Sequence, residues 1–205
     1  MITIRQAKPS DLDALYRITL KTGDSGQDAS SLFANPDLLG DIYSAPYLAL
    51  SPKLCFVAEQ KGEALGFCVG ADNTRAFEES LELHWWPGLR RRYERPAQSD
   101  CVNWTADDRL VEMIYAPETV PAFVADRYPA HLHMNLMPTL QGQGIGARMF
   151  KAWKARASQL GATAVHIGAS PKNTGAVEFW KRCGFTEIGE AAPASGSGTV
   201  WMGHS

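Results

Sequence analysis

Between residues 140 and 147 the chain reads LQGQGIGA. The apolar run MNLMP precedes it, and a helical pattern, ARMFKAWKARASQL, follows. A glycine-rich turn between a strand and a helix constrains a fold more than any other stretch here. The strand must end, the helix must begin, and the backbone between them must pass close to something without Cβ atoms. A helix N-terminus exposes unpaired N–H groups and a partial positive charge, so such a turn reads as a phosphate loop. Two spacings overlap in these letters: Gly142-x-Gly144-x-x-Ala147 and Gln141-x-x-Gly144-x-Gly146.

The first spacing is the dinucleotide fingerprint. It requires an acidic residue at the end of the next strand, for the ribose hydroxyls. That strand, VHIGAS, runs into Ala169-Ser170-Pro171 with no acid, and too little chain remains for a series of βα units. The second spacing has its counterpart downstream, in Asn173-x-x-Ala176-x-x-Phe179-Trp180-x-x-x-Gly184-Phe185. The two motifs, in this order and spacing, resemble the GCN5-related N-acetyltransferase (GNAT) family. The resemblance implies acetyl-CoA as cosubstrate and an amine as acceptor. It implies that Gln141, Gly142, Gln143, Gly144, Gly146 and Ala147 surround the diphosphate. It further implies that backbone around Asn135, Leu136 and Met137 pairs with the pantetheine arm. Asn173, Ala176 and Trp180 would lie along that arm, and Phe179 would serve mainly the core.

A narrower resemblance covers most of Ile2–Met202. The segments from Pro36 to Thr74, WWPGLRRRYERP and PETVPAFVADRYPAHLHMNL look like the acetyltransferase-like C-terminal domain of O-GlcNAcase and its free-standing bacterial relatives. It implies a GNAT fold over residues 1–205 as one domain: an α/β chain with a central mixed, mostly antiparallel sheet flanked by helices. It does not imply glycosidase activity.

The local patterns agree with that architecture. ITIRQA alternates as a strand, and KPSDLDALYRITLKTG reads as a helix capped by Ser10 and stopped at Gly23. PDLLGDIYSAPYLAL reads as a helix limited by Pro46, and KLCFVAEQ-KGE-ALGFCVGAD as a hairpin. The segment from Thr74 to Asp100 reads as a helix that turns irregular around Pro87-Gly88. TADDRLVEMIY is a further helix and PETVPAFVADRYP a connector. AHLHMNLM, ATAVHIGAS and FTEIGE are strands, NTGAVEFWKRCG is a helix, and TVWMG returns as a strand after a flexible AAPASGSG.

Bulk properties exclude little but exclude it clearly. Of 205 residues, 45% are hydrophobic and 20% charged, an ordinary globular balance. A formal net charge of −2 argues against a general nucleic-acid binder. No apolar run suggests a membrane span or a signal peptide. The cysteines Cys55, Cys68, Cys101 and Cys183 form no C-x-x-C pair, which fits reduced thiols in a cytoplasmic protein.

Acetyl transfer to an amine needs an acceptor for the amine's proton and a donor for the departing thiolate. Family members often place a carboxylate on the central strand and a tyrosine after the motif's phenylalanine. Here those positions hold Asn135 and Trp180, neither suited to the task. His131, His133 and Asn135 alternate on one face of the strand. The two histidines are candidate bases, or structural residues, or a His-x-His metal pair with no evident third ligand. Glu112, Glu118 and Asp126 lie upstream within possible reach, or in solvent. Trp85 and Trp86 with Arg90, Arg91, Arg92 and Arg95 either wall an acceptor site for an anionic amine or form a packed pair and a basic turn. Two functions follow: an active N-acetyltransferase, and a cofactor-binding module with little turnover.

Overall fold

The computed structural model describes residues 1–189 and 198–205. Strand β1 (Ile2–Gln6) leads through a 3-10 turn into helix α1 (Leu12–Lys21). Ser10 does not cap this start. Asp11 does the work: its carboxylate accepts from the Lys8 N–H at 2.7 Å and from both Arg5 terminal nitrogens at 2.7 and 2.8 Å. The Arg5 guanidinium holds the Asp11 carboxyl below the usual carboxylate range.

Pro46 does more than limit a helix. It sits in the first turn of α3 (Ala45–Leu50), and the chain breaks at Ser44 after α2 (Leu38–Tyr43). Pro87 behaves alike. The stretch expected to be irregular is α5 (Trp86–Arg92), which follows α4 (Thr74–His84). Proline in a first turn forfeits no helical hydrogen bond, since that N–H has no partner anyway.

Between α3 and α4 stands the hairpin β2 (Cys55–Gln60) and β3 (Glu63–Ala71). Beyond α5 come α6 (Ala106–Tyr115), with the capping box Thr105–Asp108, and a short α7 (Ala122–Ala125) within the expected connector. The C-terminal half then runs β4 (Ala130–Leu136), α8 (Ile145–Gln159), β5 (Val165–Ala169), α9 (Thr174–Arg182), β6 (Thr186–Glu187) and β7 (Val200–His204). The linker AAPASGSG lies outside the described residues except for its last glycine.

The seven strands form one sheet in the order β1-β2-β3-β4-β5-β7-β6. All neighbours are antiparallel except β4 and β5, which the crossover through α8 makes parallel. Even-numbered β4 residues face α8 and α9, where Leu132, Met149, Trp153 and Ile167 are fully or almost fully buried. Odd-numbered ones face α1, α3 and α4, over Val57, Phe67 and Val69. A third cluster joins α2, α5 and α6 through Trp86, Leu89 and Ile114. Asp41 is buried beside it and accepts hydrogen bonds from the Tyr16 and Tyr93 hydroxyls. Among the described residues no helix is long and apolar enough to cross a membrane.

Candidate active site

The parallel pair that opens the site is short. β4 and β5 are in register only at Ala130 with Val165 and His131 with His166. Beyond that point the strands part. On β4 the Ala130 N–H reaches Ala164 on the β5 side, whereas the Met137 N–H reaches Leu65 on the β3 side. Backbone groups alternate along a strand. Met134 and Leu136 therefore turn theirs into the opening, and Asn135 and Met137 turn theirs towards β3. Of the three residues singled out for backbone pairing, only Leu136 has its amide on the open side, with Met134 beside it.

The glycine loop closes the wide end of this opening. Gly142 and Gly144 both adopt φ of 71°, and nothing lies within 4 Å of where a Cβ would stand. The left-handed backbone asks for glycine, and the space in front stays open. The first helical bond of α8 runs from the Arg148 N–H to the Gly144 carbonyl, so the N–H groups of Ile145, Gly146 and Ala147 have no partner within the helix. Two glutamines brace the turn from within. The Gln141 amide donates to the Leu136 carbonyl at 3.0 Å and the Gln143 amide to the Thr139 carbonyl at 2.6 Å.

Gly146 has a different reason to be glycine. It is buried, and a Cβ there would stand 2.9 Å from Cζ of Phe179 and 3.4 Å from Cδ1 of Leu136. Its bareness lets α9 pack against the start of α8, which links the two sequence motifs physically.

In the second motif, Asn173 is the N-cap of α9; its side-chain oxygen accepts from the Ala176 N–H at 3.0 Å. Ala176 and Phe179 are half-buried against the cluster under α8. Trp180 is buried, with its ring centroid 4.9 Å from both Phe179 and Phe185 and 5.7 Å from Phe150.

The polar face of β4 separates its three residues by role. His131 is buried and committed on both nitrogens: Nε2 lies 2.9 Å from the Tyr47 hydroxyl and Nδ1 2.8 Å from Thr74 Oγ1. Thr74 Oγ1 donates its one proton to the Pro129 carbonyl at 2.7 Å. It must then accept from His131 Nδ1–H, so Nε2 carries the lone pair and Tyr47 donates to it. A ring held this way is neither a free base nor a metal ligand. Among the described residues no group of three metal-ligating side chains comes together. Asn135 donates to Oγ1 of Thr22, the C-cap residue of α1, at 2.7 Å.

His133 differs. It makes no hydrogen bond among the described residues and is half-buried. Its ring lies edge-on between Tyr47 at 5.4 Å and Tyr43 at 6.4 Å. Burial pushes its pKa down to about 4, so the imidazole is neutral at physiological pH with a lone pair available. Tyr43 and Tyr47 belong to α2 and α3. No motif flagged them, because they meet β4 only in the folded chain.

The other candidates sort readily. Glu112 is held by Arg95 and Gln98. Arg90 pairs with Glu82 and Arg92 with Asp37. Trp86 is buried and the Trp85 indole donates to the Asp41 carbonyl. The Trp–Arg segment is thus a packed tryptophan pair followed by a turn in which Arg90, Arg92 and Arg95 are ion-paired. Asp126 is exposed, as is Glu118.

A strand pair that splays beside a glycine loop, with a second motif packed on it, is the arrangement the sequence pointed to. The model of the acetyltransferase (GNAT) family matches residues 74–185, more than half of the chain. The chain belongs to the GNAT family. A crystal structure of a protein called SsHAT is similar over 99% of this chain and 97% of its own, with 30% identity and a TM-score of 0.89. The O-GlcNAcases of Rattus norvegicus and Mus musculus are 23% identical over 91% of this chain. This chain spans about a fifth of their length. The yncA protein of Salmonella typhimurium, solved with acetyl-CoA, shares the fold with 16% identity and a TM-score of 0.53 over 99% of this chain and 92% of its own. Within this family the chain carries Trp180 where many members have a tyrosine.

Proposed function

We propose that this GNAT protein transfers the acetyl group of acetyl-CoA to the amine of a small molecule, with His133 as the base. The reading rests on one observation: an unpaired, neutral histidine stands on the polar face of β4 where the sheet opens beside the glycine loop. The N–H groups at the start of α8 would hold the diphosphate, helped by the open backbone of Gly142 and Gly144. Met134 and Leu136 would offer backbone to the arm once Gln141 releases the Leu136 carbonyl. Asn173, Ala176 and Trp180 would flank it.

The chemistry balances without a tyrosine. The amine nitrogen bonds to the thioester carbon while His133 accepts the proton it loses, and the C–S bond breaks. An imidazole with a pKa near 4 is a weak base, but its conjugate acid is a strong donor. It would return the proton to the leaving sulfur, the task a tyrosine performs in many relatives.

Calorimetry with CoA and a thiol-release assay across an amine panel test the reading together. Tight CoA binding with acetylation of at least one small amine is the expected result. CoA binding with no amine acetylated would make the chain a cofactor-binding module, and absence of CoA binding would end both readings.

A further inference from the structure

We propose that the side-chain oxygen of Asn135 holds the acceptor, taking the second N–H of a primary amine while His133 takes the first, so that the site prefers primary amines to their N-methyl counterparts. This preference rests on the proposed amine transfer and adds the class of acceptor. Thr22, buried at the C-cap of α1, donates its one hydroxyl proton to the Ile18 carbonyl at 2.7 Å. The Asn135 amide lies 2.7 Å from the same Oγ1. With its proton spent, Oγ1 can only accept, so the amide must turn its nitrogen to Thr22. A flipped amide would set two oxygens face to face with no proton between them. The orientation of Asn135 is therefore fixed, and its Oδ1 is left with no hydrogen bond among the described residues. Every buried side-chain nitrogen or oxygen among those residues has a partner, so an unpartnered Oδ1 on this half-buried residue reaches solvent.

Asn135 and His133 share one face of β4 and straddle Met134, whose backbone turns into the opening between β4 and β5. Residues two apart on a strand stand about 7 Å from each other. One nitrogen making two hydrogen bonds of about 3 Å reaches both. The other polar groups that meet this face are engaged: His131 by Tyr47 and Thr74, the Tyr47 hydroxyl by His131, and the Tyr43 hydroxyl by the Met113 sulfur. The lone pair of the His133 ring and Oδ1 of Asn135 remain as acceptors, the complement of an –NH2 group. When a primary amine nitrogen bonds to the thioester carbon, it carries two N–H groups. His133 takes one proton, and the N–H held by Asn135 is the one the amide product keeps. An N-methyl amine gives up its only proton to His133 and turns a methyl group to Oδ1, which then loses its water without gaining a bond.

The test uses the full chain, saturating acetyl-CoA and a matched pair of acceptors, n-butylamine and N-methylbutylamine. Any primary amine of the panel that is turned over faster takes their place, with its own N-methyl derivative. The kcat/KM ratio of primary to N-methyl amine should be about tenfold or more. Asn135→Leu should lower kcat/KM for the primary amine by about tenfold and leave the N-methyl amine within about twofold, so that the ratio approaches unity. Asn135→Asp, which keeps an oxygen acceptor, should hold the ratio. A merely structural Asn135 would lower both amines alike and leave the ratio where it was. A wild-type ratio near or below unity overturns the inference without any variant. A ratio that survives Asn135→Leu, or is lost equally in Asn135→Asp, does the same, and each of these leaves the amine-transfer reading standing. Acetylation of no amine in the panel overturns both.

Discussion

The Tyr47 hydroxyl donates to Nε2 of His131 at 2.9 Å, a bond between residues 84 apart in sequence. It anchors a cluster of neutral histidines, the buried His131 and His166 and the half-buried His133, whose pKa values loss of solvent depresses. In the unfolded chain each returns towards the ordinary histidine value of 6.5 and takes up protons that the folded form refuses. Stability is therefore complete above about pH 6.5 and falls as the pH drops towards 4. Each histidine contributes at most about 1.4 kcal/mol per pH unit in that window. Urea unfolding between pH 7.5 and 4.5 measures it; a flat profile would contradict the buried cluster. Tyr47→Phe should cost about 1–3 kcal/mol at pH 7.5, because Nε2 of His131 then loses its donor.

Gly146 and Gly144 should both lose stability on substitution, for different reasons. Gly146→Ala meets Phe179 at a distance no side chain tolerates, so stability should fall by about 1–3 kcal/mol. Adding Phe179→Leu should recover part of that loss. Gly144→Ala meets no neighbour but strains a left-handed residue, costing about 1–2 kcal/mol. Gly144→Val adds a branched side chain in front of the loop and should also weaken CoA binding by at least tenfold. Thermal melts and calorimetry of folded variants separate the two effects, and unchanged CoA affinity in Gly144→Val would remove the loop from the binding site.

His133→Gln should lower kcat by about 10²-fold or more while CoA affinity barely changes. The pH profile carries the sharper signature. A base with a pKa of about 4 stays neutral throughout the physiological range and is lost only as pH falls below that value. Any acid limb that His133 imposes on kcat should thus lie near pH 4, not 6.5. A limb near 6.5 that vanishes in His133→Gln would mean that the site is wetter than its burial implies.

Trp180→Phe should leave turnover within about tenfold, since an indole supplies no general-acid term of 10²–10⁴. Trp180→Ala should instead cost about 3–5 kcal/mol of stability, because it empties the space between Phe150, Phe179 and Phe185. A large drop in turnover for Trp180→Phe, with stability and CoA binding kept, would show that the indole takes part in the chemistry.

The elements that carry the site were legible from residue order. A strand before LQGQGIGA, a helix after it, and the second motif on α9 are all local patterns, set by backbone periodicity and by where glycine is needed. The hairpin and the late crossover follow from the same kind of signal. The roles of individual side chains were not legible, because each depends on a partner from elsewhere in the chain. His131 and His133 are equivalent in sequence, two positions apart on one face. Tyr47 and Thr74 engage the first and leave the second open. Four arginines near two tryptophans suggest free positive charge until Asp37, Glu82 and Glu112 arrive from other segments to neutralise three of them. Gly146 reads as a phosphate glycine, yet Phe179 dictates it. Local conformation is decided by energies within a few residues, but hydrogen-bond and charge pairing is decided by which groups the packed core brings together. The sequence by itself determined the fold and the place of the glycine loop. Only the tertiary structure decided which histidine is left without a hydrogen bond and which charges are paired.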